Sequence, residues 1–449
     1  MTEARRRTVR APWSSLERHR LAQPPHRGSL ARYCPCIAHR TDSHHTGTWL
    51  PSLDRLRALR AVGDPPADDL ITTLFDDHGH EGVGELMESL LDREWVGEGE
   101  VGRKAEAFLT AERQANPSDA VNLESVLDAG QSVFAEHGPE IILILGCYSL
   151  PAAYATANGA QVLRQSDYLT KQPDRRLIET AQVLVDVMQT GGLGPGGIGQ
   201  HSAEKTRIMH AAIRHLIMHR PDRPWDAEAL GVPINQEDLA ATLMTFSYLA
   251  IDGLDRLGIT TTATEKESYL AAWREVGRIM GVMPELLPPT FADAERLTRA
   301  IESDQVLGGI PPSDPAWANG RLMTAALLAV LDSKMIPGMP SALMRMFLPA
   351  DVADGLDVPK RPVPDWLVRH TVRSFGWLDR NLLERFTRPS RVLRHMSLGL
   401  LELMLQWERG GNREPFRVPD SLDWYDHIRD KPNAGQRLLA RSASTVTPR

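Results

Sequence analysis

Apolar residues recur at helical spacing along almost the whole chain after residue 53, and this periodicity limits the fold more than any other feature. Leu177, Ala181 and Leu184 show the pattern, in which every third or fourth residue is apolar. Helices are predicted on this basis over residues 53–60, 68–76, 236–258, 266–281, 293–303, 320–332 and 393–408. Stretches with a period of two, which would indicate strands joined by hairpins, are scarce. The sequence therefore predicts a mainly α protein.

A single large helical domain over residues 49–430 is the simplest division of the 449-residue chain. Neither a long Gly/Ser linker nor a convincing internal repeat interrupts it, and 42% hydrophobic residues can form a sizeable core. Residues 1–48 are rich in arginine and proline and lack periodicity, so we interpret them as a disordered basic tail. Residues 431–449 are polar and are interpreted as a flexible C-terminal tail.

Charge and cysteine content exclude several classes of protein. A formal net charge of −7 argues against general nucleic-acid binding. Three cysteines are too few for a disulfide framework. The chain has no run of about 18 apolar residues, so no transmembrane segment is predicted. Arg5–Arg7 is not followed by an apolar segment of the kind that export signals contain, and we therefore expect a cytoplasmic protein.

One histidine, His210, is flanked by arginines on the same face of a predicted helix. Arg207 precedes it by three residues and Arg214 follows it by four. Two fixed positive charges are unexpected in a dry core, but they suit a haem, which offers a metal and two carboxylates. A lone helical histidine is more often an ordinary core or surface residue, and that alternative stays open on these residues alone.

A second pair of polar residues lies about 30 residues earlier, on another predicted helix. Arg176 and Thr180 are four residues apart and therefore share a face. A threonine hydroxyl can hydrogen-bond oxygen, and an arginine can stabilise negative charge that develops on it. The two residues are candidates for the side of a haem pocket opposite His210.

Three other patterns invite a functional interpretation and do not support one. Gly192–Gly197 matches the G-x-G-x-x-G motif, but a helix rather than a strand is predicted before it, so dinucleotide binding is not expected. His215 and His219 lack the glutamate of a zinc-protease helix, and an exposed face is favoured. Asp76–Glu81 is rich in potential metal ligands but is equally typical of a polar loop.

Several motifs taken together resemble the bacterial latex-clearing proteins and the wider family of MpaB-type oxygenases. The resemblance covers roughly residues 50–360. It rests on Leu59–Pro65 with Ala67-Asp68, Leu150–Ala155, Arg175–Thr180, Gly191–Leu193 with Pro195–Gly197, the Arg207–Arg214 helix, and Asn235–Ala240 with Thr245–Ser247. No single one of these motifs would be specific.

The resemblance implies a b-type haem in a globin-like helical core with additional helices. It implies roles for six residues: His210 as the proximal iron ligand, Arg207 and Arg214 near the haem, Arg176 and Thr180 on the distal side, and Arg345 as a weaker match to a later family arginine. Dioxygen and a small apolar substrate would be the reactants, and an unidentified redox partner is conceivable.

The chain also departs from the latex-clearing proteins. Some of them carry a lysine that caps the iron where this chain has Glu179, and they use an upstream glutamate as a base, whereas no glutamate lies between Glu140 and Glu179. The leading hypothesis is therefore a haem b-dependent oxygenase that oxidises or cleaves an unsaturated apolar substrate, for which an isoprenoid is one candidate. The alternatives are a polyisoprene-cleaving rubber oxygenase, a non-enzymatic haem-binding or sensor protein, and a haem-free helical scaffold.

Overall fold

The fold is seen in a computed structural model that describes residues 49–89, 99–118, 122–165, 173–221, 223–307, 310–335 and 337–360. The predicted tails, 1–48 and 431–449, and the predicted helix at 393–408 lie outside these residues. The boundaries of the predicted domain therefore stay predictions.

Helices make up nearly all of the described structure. They are α1 (Leu53–Leu59), α2 (Pro65–Ser89), α3 (Gly99–Ala115), α4 (Leu123–Ile144), α5 (Leu150–Tyr154), α6 (Ala157–Gln165), α7 (Pro173–Met188), α8 (Ile198–Met218), α9 (Ala227–Leu230), α10 (Gln236–Phe246), α11 (Tyr248–Leu257), α12 (Ala263–Ile279), α13 (Phe291–Gln305), α14 (Ala318–Lys334), α15 (Met339–Phe347) and α16 (Ala350–Gly355), with a π-helical turn at Leu145–Ser149. The described ranges contain no strand, only an isolated antiparallel bridge between Thr156 and Val306. The mainly α prediction is confirmed. None of the helices in these ranges is both long and apolar enough to cross a membrane.

The predicted helix at 236–258 is in fact two helices, α10 and α11, which meet at Ser247. The Ser247 hydroxyl donates a hydrogen bond to the Leu243 carbonyl oxygen at 2.7 Å. The backbone of Ser247 departs from helical geometry, with φ −99° and ψ −74°. Apolar periodicity continues across this break because both helices bury the same side, so the pattern alone does not reveal it.

The stretch Asp76–Glu81, for which a polar loop explained the sequence as well as a metal site did, is helical. It lies within α2, where Gly79 interrupts regular geometry with φ 63° and ψ −163°. A glycine adopts this conformation without the steric cost that a side chain would add. The helix therefore kinks at Gly79 and continues, which the sequence pattern did not show.

Helix α8 lies between two hydrophobic clusters, and this position matters because α8 carries His210. Ala203 packs into the large core built around α4, α10 and α12. Ile208 and Ala211 pack instead into a smaller core with α2 and α3. Both clusters restrain the helix, since each buries apolar side chains from a different side of it.

The glycine-rich segment 189–197 connects two helices, as the periodicity predicted. Helix α7 ends at Met188 and α8 begins at Ile198. Gly191 and Gly196 have φ values of 76° and 71°, which suit glycine. The preceding element is a helix, so this segment is not the phosphate-binding turn of a dinucleotide fold.

Replacing Gly199 with alanine should lower the free energy of unfolding by about 1–3 kcal/mol, because the two helices touch backbone to backbone there. A Cβ at this position would lie 2.4 Å from the Asp186 carbonyl oxygen and 2.5 Å from Val187 Cα. Urea unfolding followed by circular dichroism measures the change. The matched control is Gly146→Ala, where the nearest atom, Leu331 Cδ2, lies at an ordinary 3.4 Å. Equal stability of the two variants would contradict the close contact.

Candidate functional site

A cavity of about 280 Å³ lies between α5, α6, α7, α8, α10 and α13. Most of its lining is apolar, as is usual for sites that hold small molecules. The apolar lining includes Leu150, Ala153, Val162, Leu163, Leu177, Met209, Ile213, Ile234, Leu239, Met244, Phe246, Leu249, Ile301 and Leu327. His210 and Thr180 are among its polar residues. Two residues that were predicted for opposite sides of one pocket therefore share one cavity.

Helix α8 directs one face toward the cavity and a neighbouring face toward α2. Met209, His210 and Ile213 line the cavity. Arg207 and Arg214 are seven residues, or about two turns, apart and so share a face. Both extend to residues at the start of α2. The imidazole and the two guanidinium groups thus contact different parts of the protein, although they are neighbours on the helix surface.

The Arg207 guanidinium is buried against carboxylates of the protein itself. Its Nε and Nη2 donate to the Asp64 carboxylate at 2.6 and 2.9 Å. Nη2 also lies 2.8 Å from Glu112 Oε2, and the guanidinium stands 5.3 Å from the centre of the Phe108 ring. Only 7% of the side chain is exposed. This is a bidentate pair of the kind that arginine forms best.

Arg214 is also held by an aspartate, Asp68, which lies one helical turn after Asp64. It pairs with Asp68 and donates hydrogen bonds to the carbonyl oxygens of Pro233 at 2.8 Å and Ile234 at 2.6 Å. Ile234 lines the cavity, so this arginine ties the His210 helix to the cavity wall before α10. Three acceptors satisfy the buried guanidinium.

The expectation that two arginines would not lie in a dry core is wrong for this chain. Arg207 and Arg214 are in such a core, and neither is among the described residues that line the cavity. Their counter-charges, Asp64 and Asp68, are more than 140 residues away in the sequence. The carboxylate of Asp64 is occupied by Arg207. The structure therefore makes these arginines anchors of the His210 helix.

Arg345, the third arginine predicted near the cofactor, also has partners within the protein. Its Nη1 donates to Asp354 Oδ1 at 2.8 Å and its Nε to the Val358 carbonyl oxygen at 2.9 Å. It holds α15 to the segment after α16 and is not part of the described cavity lining.

Motifs that are far apart in the sequence meet in one polar network behind the cavity. Gln236 Nε2 donates to the carbonyl oxygens of Gly63 at 2.7 Å and Gly281 at 3.0 Å. Glu237 accepts hydrogen bonds from Arg60 and from Gln305. The Leu59–Pro65 and Asn235–Ala240 motifs therefore hold α1, α2, α10 and α13 together, which explains them structurally.

Two further predicted residues lie on α7. Arg176 is one turn before Thr180, but its side chain falls outside the described part of the structure. Glu179, at the position of the capping lysine in some latex-clearing proteins, is only 3% exposed and is not among the described lining residues. Of these two neighbours it is thus Thr180, and not Glu179, that lies in the described lining, together with Leu177 from the same helix.

Two acidic residues that line the cavity, Asp238 and Glu302, were missed by the sequence reasoning. Burial raises the pKa of each to about 7, with Glu237 adding to the effect at Asp238 and Asp252 at Glu302. The sequence did contain an indication of Glu302, because Thr298 and Glu302 are polar residues four positions apart on the apolar side of an amphipathic helix. Polar residues at core-facing positions identify such sites.

The Glu302→Gln variant should gain stability relative to the wild type as pH rises from 5 to 8, by about 1–2 kcal/mol after allowance for screening by solvent in the cavity. Burial raises the pKa of Glu302 to about 7 in the folded protein, whereas a glutamate in an unfolded chain has its ordinary pKa of about 4.3. Between these values the folded state binds more protons than the unfolded state, so the wild type loses stability as pH increases. Urea unfolding at both pH values measures the difference. A variant whose relative stability is unchanged by pH would refute the assignment.

The described residues do not form the group of ligands that a bare metal ion needs. In the portion of the chain that the structure covers, no three His, Cys, Asp or Glu side chains lie close enough to hold a metal ion. His215 and His219 stack on each other with ring centres 4.1 Å apart, and His215 also stacks on Phe75. Among the described lining residues, the one imidazole is that of His210, and a lone imidazole suits a metal that arrives with most of its own ligands, as the iron of a haem does.

Comparison with known proteins gives three results. The family model described as "ER-bound oxygenase mpaB/B'/Rubber oxygenase, catalytic domain" matches residues 136–380, more than half of the chain. Rubber oxygenase from Streptomyces sp. (strain K30) is 26% identical over 248 residues, which are 55% of this chain and 59% of that protein. The chain thus matches about three fifths of this curated relative's length.

A solved structure, that of latex clearing protein LCP in the closed state, has a similar fold. The TM-score is 0.58, and the match covers 71% of this chain and 84% of the other. Sequence identity is 22%, so this comparison supports the fold alone.

Proposed function

The chain belongs to the family that shares the catalytic domain of ER-bound oxygenase mpaB/B' and rubber oxygenase, and from that premise we propose that it is a haem b-dependent oxygenase acting on an unsaturated apolar substrate. The observation that carries the proposal is the His210 imidazole, which shares an otherwise mostly apolar cavity with Thr180. Haem iron in proteins is commonly held by one histidine, which leaves the opposite side open.

His210 would be the protein ligand of the haem iron. When bound, haem would supply the iron that activates dioxygen. Arg207 and Arg214 would act on the site indirectly, because their ion pairs with Asp64 and Asp68 fix the helix on which His210 sits. Holding a ligand in place by its supporting contacts is a general requirement of metal sites.

The other groups would orient the reactants. Thr180 lies in the same cavity, where we propose that its side chain contacts dioxygen. Arg176, one turn earlier on α7, is proposed to stabilise negative charge on that oxygen. The apolar walls exclude water and bind the hydrocarbon part of the substrate. Arg345 is tied to Asp354 and Val358, so we propose a structural role for it.

The substrate would be oxidised at, or cleaved across, a carbon–carbon double bond. Cleavage of polyisoprene is a second candidate, because a protein named rubber oxygenase is 26% identical to part of this chain. Glu179 at the capping position and the lack of a glutamate between residues 140 and 179 favour a different substrate.

Two measurements on the purified chain test the proposal. The absorption spectrum should show a Soret band, and an alkene should cause consumption of dioxygen with formation of oxygenated products. A protein that contains haem but does not consume dioxygen when an alkene is added would instead be a haem-binding or sensor protein. A colourless protein that does not take up added haem would favour a haem-free scaffold. Carbonyl-ended oligomers from polyisoprene would favour the rubber oxygenase.

A further inference from the structure

Two threonines that α10 and α13 place in the cavity, Thr245 and Thr298, offer hydrogen-bond acceptors rather than donors. The Thr245 hydroxyl donates to the Thr242 carbonyl oxygen at 2.7 Å, and the Thr298 hydroxyl donates to the Ala294 carbonyl oxygen at 2.8 Å. A threonine has one O–H to give, so only its lone pairs remain available to a ligand. These two threonines therefore suit a ligand that carries a donor.

Glu302 provides the strongest acceptor in this wall. It lies one turn after Thr298 and lines the cavity. Among the residues that the structure describes, no hydrogen bond reaches its carboxyl group. The neighbouring cations already have partners, since Arg256 donates to Asp252 at 2.6 Å and Arg299 pairs with Glu295. A deeply placed carboxyl group without a hydrogen bond is unfavourable, and a donor from a ligand would relieve that cost.

The second acidic residue, Asp238, has a structural task that Glu302 lacks. Its Oδ2 accepts hydrogen bonds from the Asn235 backbone N at 3.3 Å and from Asn235 Nδ2 at 2.9 Å. The bond from the Asn235 backbone, together with that from the Asp238 N–H to Asn235 Oδ1 at 3.0 Å, forms a capping box at the start of α10. Of the two carboxyl groups, Glu302 is therefore the one that is left for a ligand.

We propose that the substrate is not a pure hydrocarbon but an unsaturated alcohol or amine, and that the Glu302 carboxyl group accepts a hydrogen bond from its hydroxyl or ammonium group. This inference rests on the proposed function for the identity of the bound molecule as a substrate. The apolar walls would take the hydrocarbon chain, while Glu302 fixes one end of it and so determines which double bond lies nearest His210 and Thr180.

Calorimetric binding to the isolated full-length protein tests this with three ligands that share a ten-carbon skeleton. They are geraniol, geranylamine and 2,6-dimethylocta-2,6-diene, which has neither hydroxyl nor amine. The binding is measured at pH 8, where the Glu302 carboxyl group is ionised because its pKa is about 7. The wild type should then bind the alcohol or the amine at least about tenfold more tightly than the hydrocarbon, which is the value of one hydrogen bond to a charged acceptor. The alcohol and the amine distinguish a neutral donor from a cation.

Variants at position 302 assign the effect to the carboxyl group. Glu302→Met should remove the preference for the alcohol or the amine over the hydrocarbon, whereas Glu302→Gln, which keeps an acceptor oxygen, should retain part of the preference for the alcohol. Glu295→Gln is the matched control, since it lies on the same helix, is 37% exposed and is outside the described lining. It should bind all three ligands as the wild type does.

The results separate the failure of this inference from that of the proposed function. Equal affinity for all three ligands, no binding of any, or a preference that survives Glu302→Met would overturn the inference, even if dioxygen is consumed with the hydrocarbon. A preference that depends on Glu302, in a protein that consumes no dioxygen, would support the inferred ligand chemistry and refute the oxygenase.

Discussion

Replacing Arg207 with methionine should lower the free energy of unfolding by about 3–5 kcal/mol, the cost of leaving a buried ion-pair partner without its counter-charge. Asp64 is 4% exposed and would lose both of its hydrogen bonds from the guanidinium group. A Cβ added at Gly281 would lie 2.5 Å from Asp64 Oδ2, so the backbone of Gly281 packs closely against the ion pair. This packing limits the access of water to Asp64. Urea unfolding followed by circular dichroism measures the loss.

A second substitution distinguishes loss of the ion pair from simple loss of packing. In Arg207→Met/Asp64→Asn the buried negative charge is removed, so the double variant should recover at least about 1–2 kcal/mol. Arg299→Met is the surface control, because that side chain is 67% exposed and its pair with Glu295 should contribute no more than about 1 kcal/mol. A double variant no more stable than Arg207→Met would show that packing, and not charge, dominates.

The helices could be predicted from the sequence because their cause is local. Leu177, Ala181 and Leu184 repeat at the period of the helix, and α7 forms there. The break at Ser247 was not predictable in this way, since a single serine hydroxyl bonded to Leu243 does not alter the apolar pattern.

The candidate site was predictable only in part, for a different reason. His210 and Thr180 do line one cavity, as their residue types and helical positions suggested. The partners of Arg207 and Arg214 could not be deduced, because Asp64 and Asp68 reach them only after α2 packs on α8. A charge pattern in one helix shows that counter-charges are needed but does not show whether protein or cofactor supplies them.

The ion pairs of Arg207 and Arg214 also bear on the role of His210. Since Arg207 and Arg214 hold α8 against the start of α2, we expect the helix to keep its position when the imidazole is removed. Removing His210 should therefore leave the fold intact, and a change in cofactor binding can be attributed to the lost ligand rather than to unfolding.

The His210→Ala variant should lose haem affinity by at least about tenfold, since even loss of a residue that merely supports a metal ligand costs that much. The absorption spectrum and the haem content per chain measure the change, and urea unfolding checks that the protein remains folded. Imidazole added to the buffer should restore part of the Soret band, because it can occupy the space that the side chain leaves.

His215→Ala is the matched control on the same helix. His215 stacks on Phe75 with ring centres 4.2 Å apart and is outside the described cavity lining, and burial lowers its pKa to about 4. This variant should keep the haem content of the wild type. If both variants keep it, or if both lose it equally, His210 is not the ligand. Loss in His210→Ala alone, with recovery by imidazole, would require the imidazole of His210 to reach the iron, because no merely structural role of the side chain explains rescue by a free ligand.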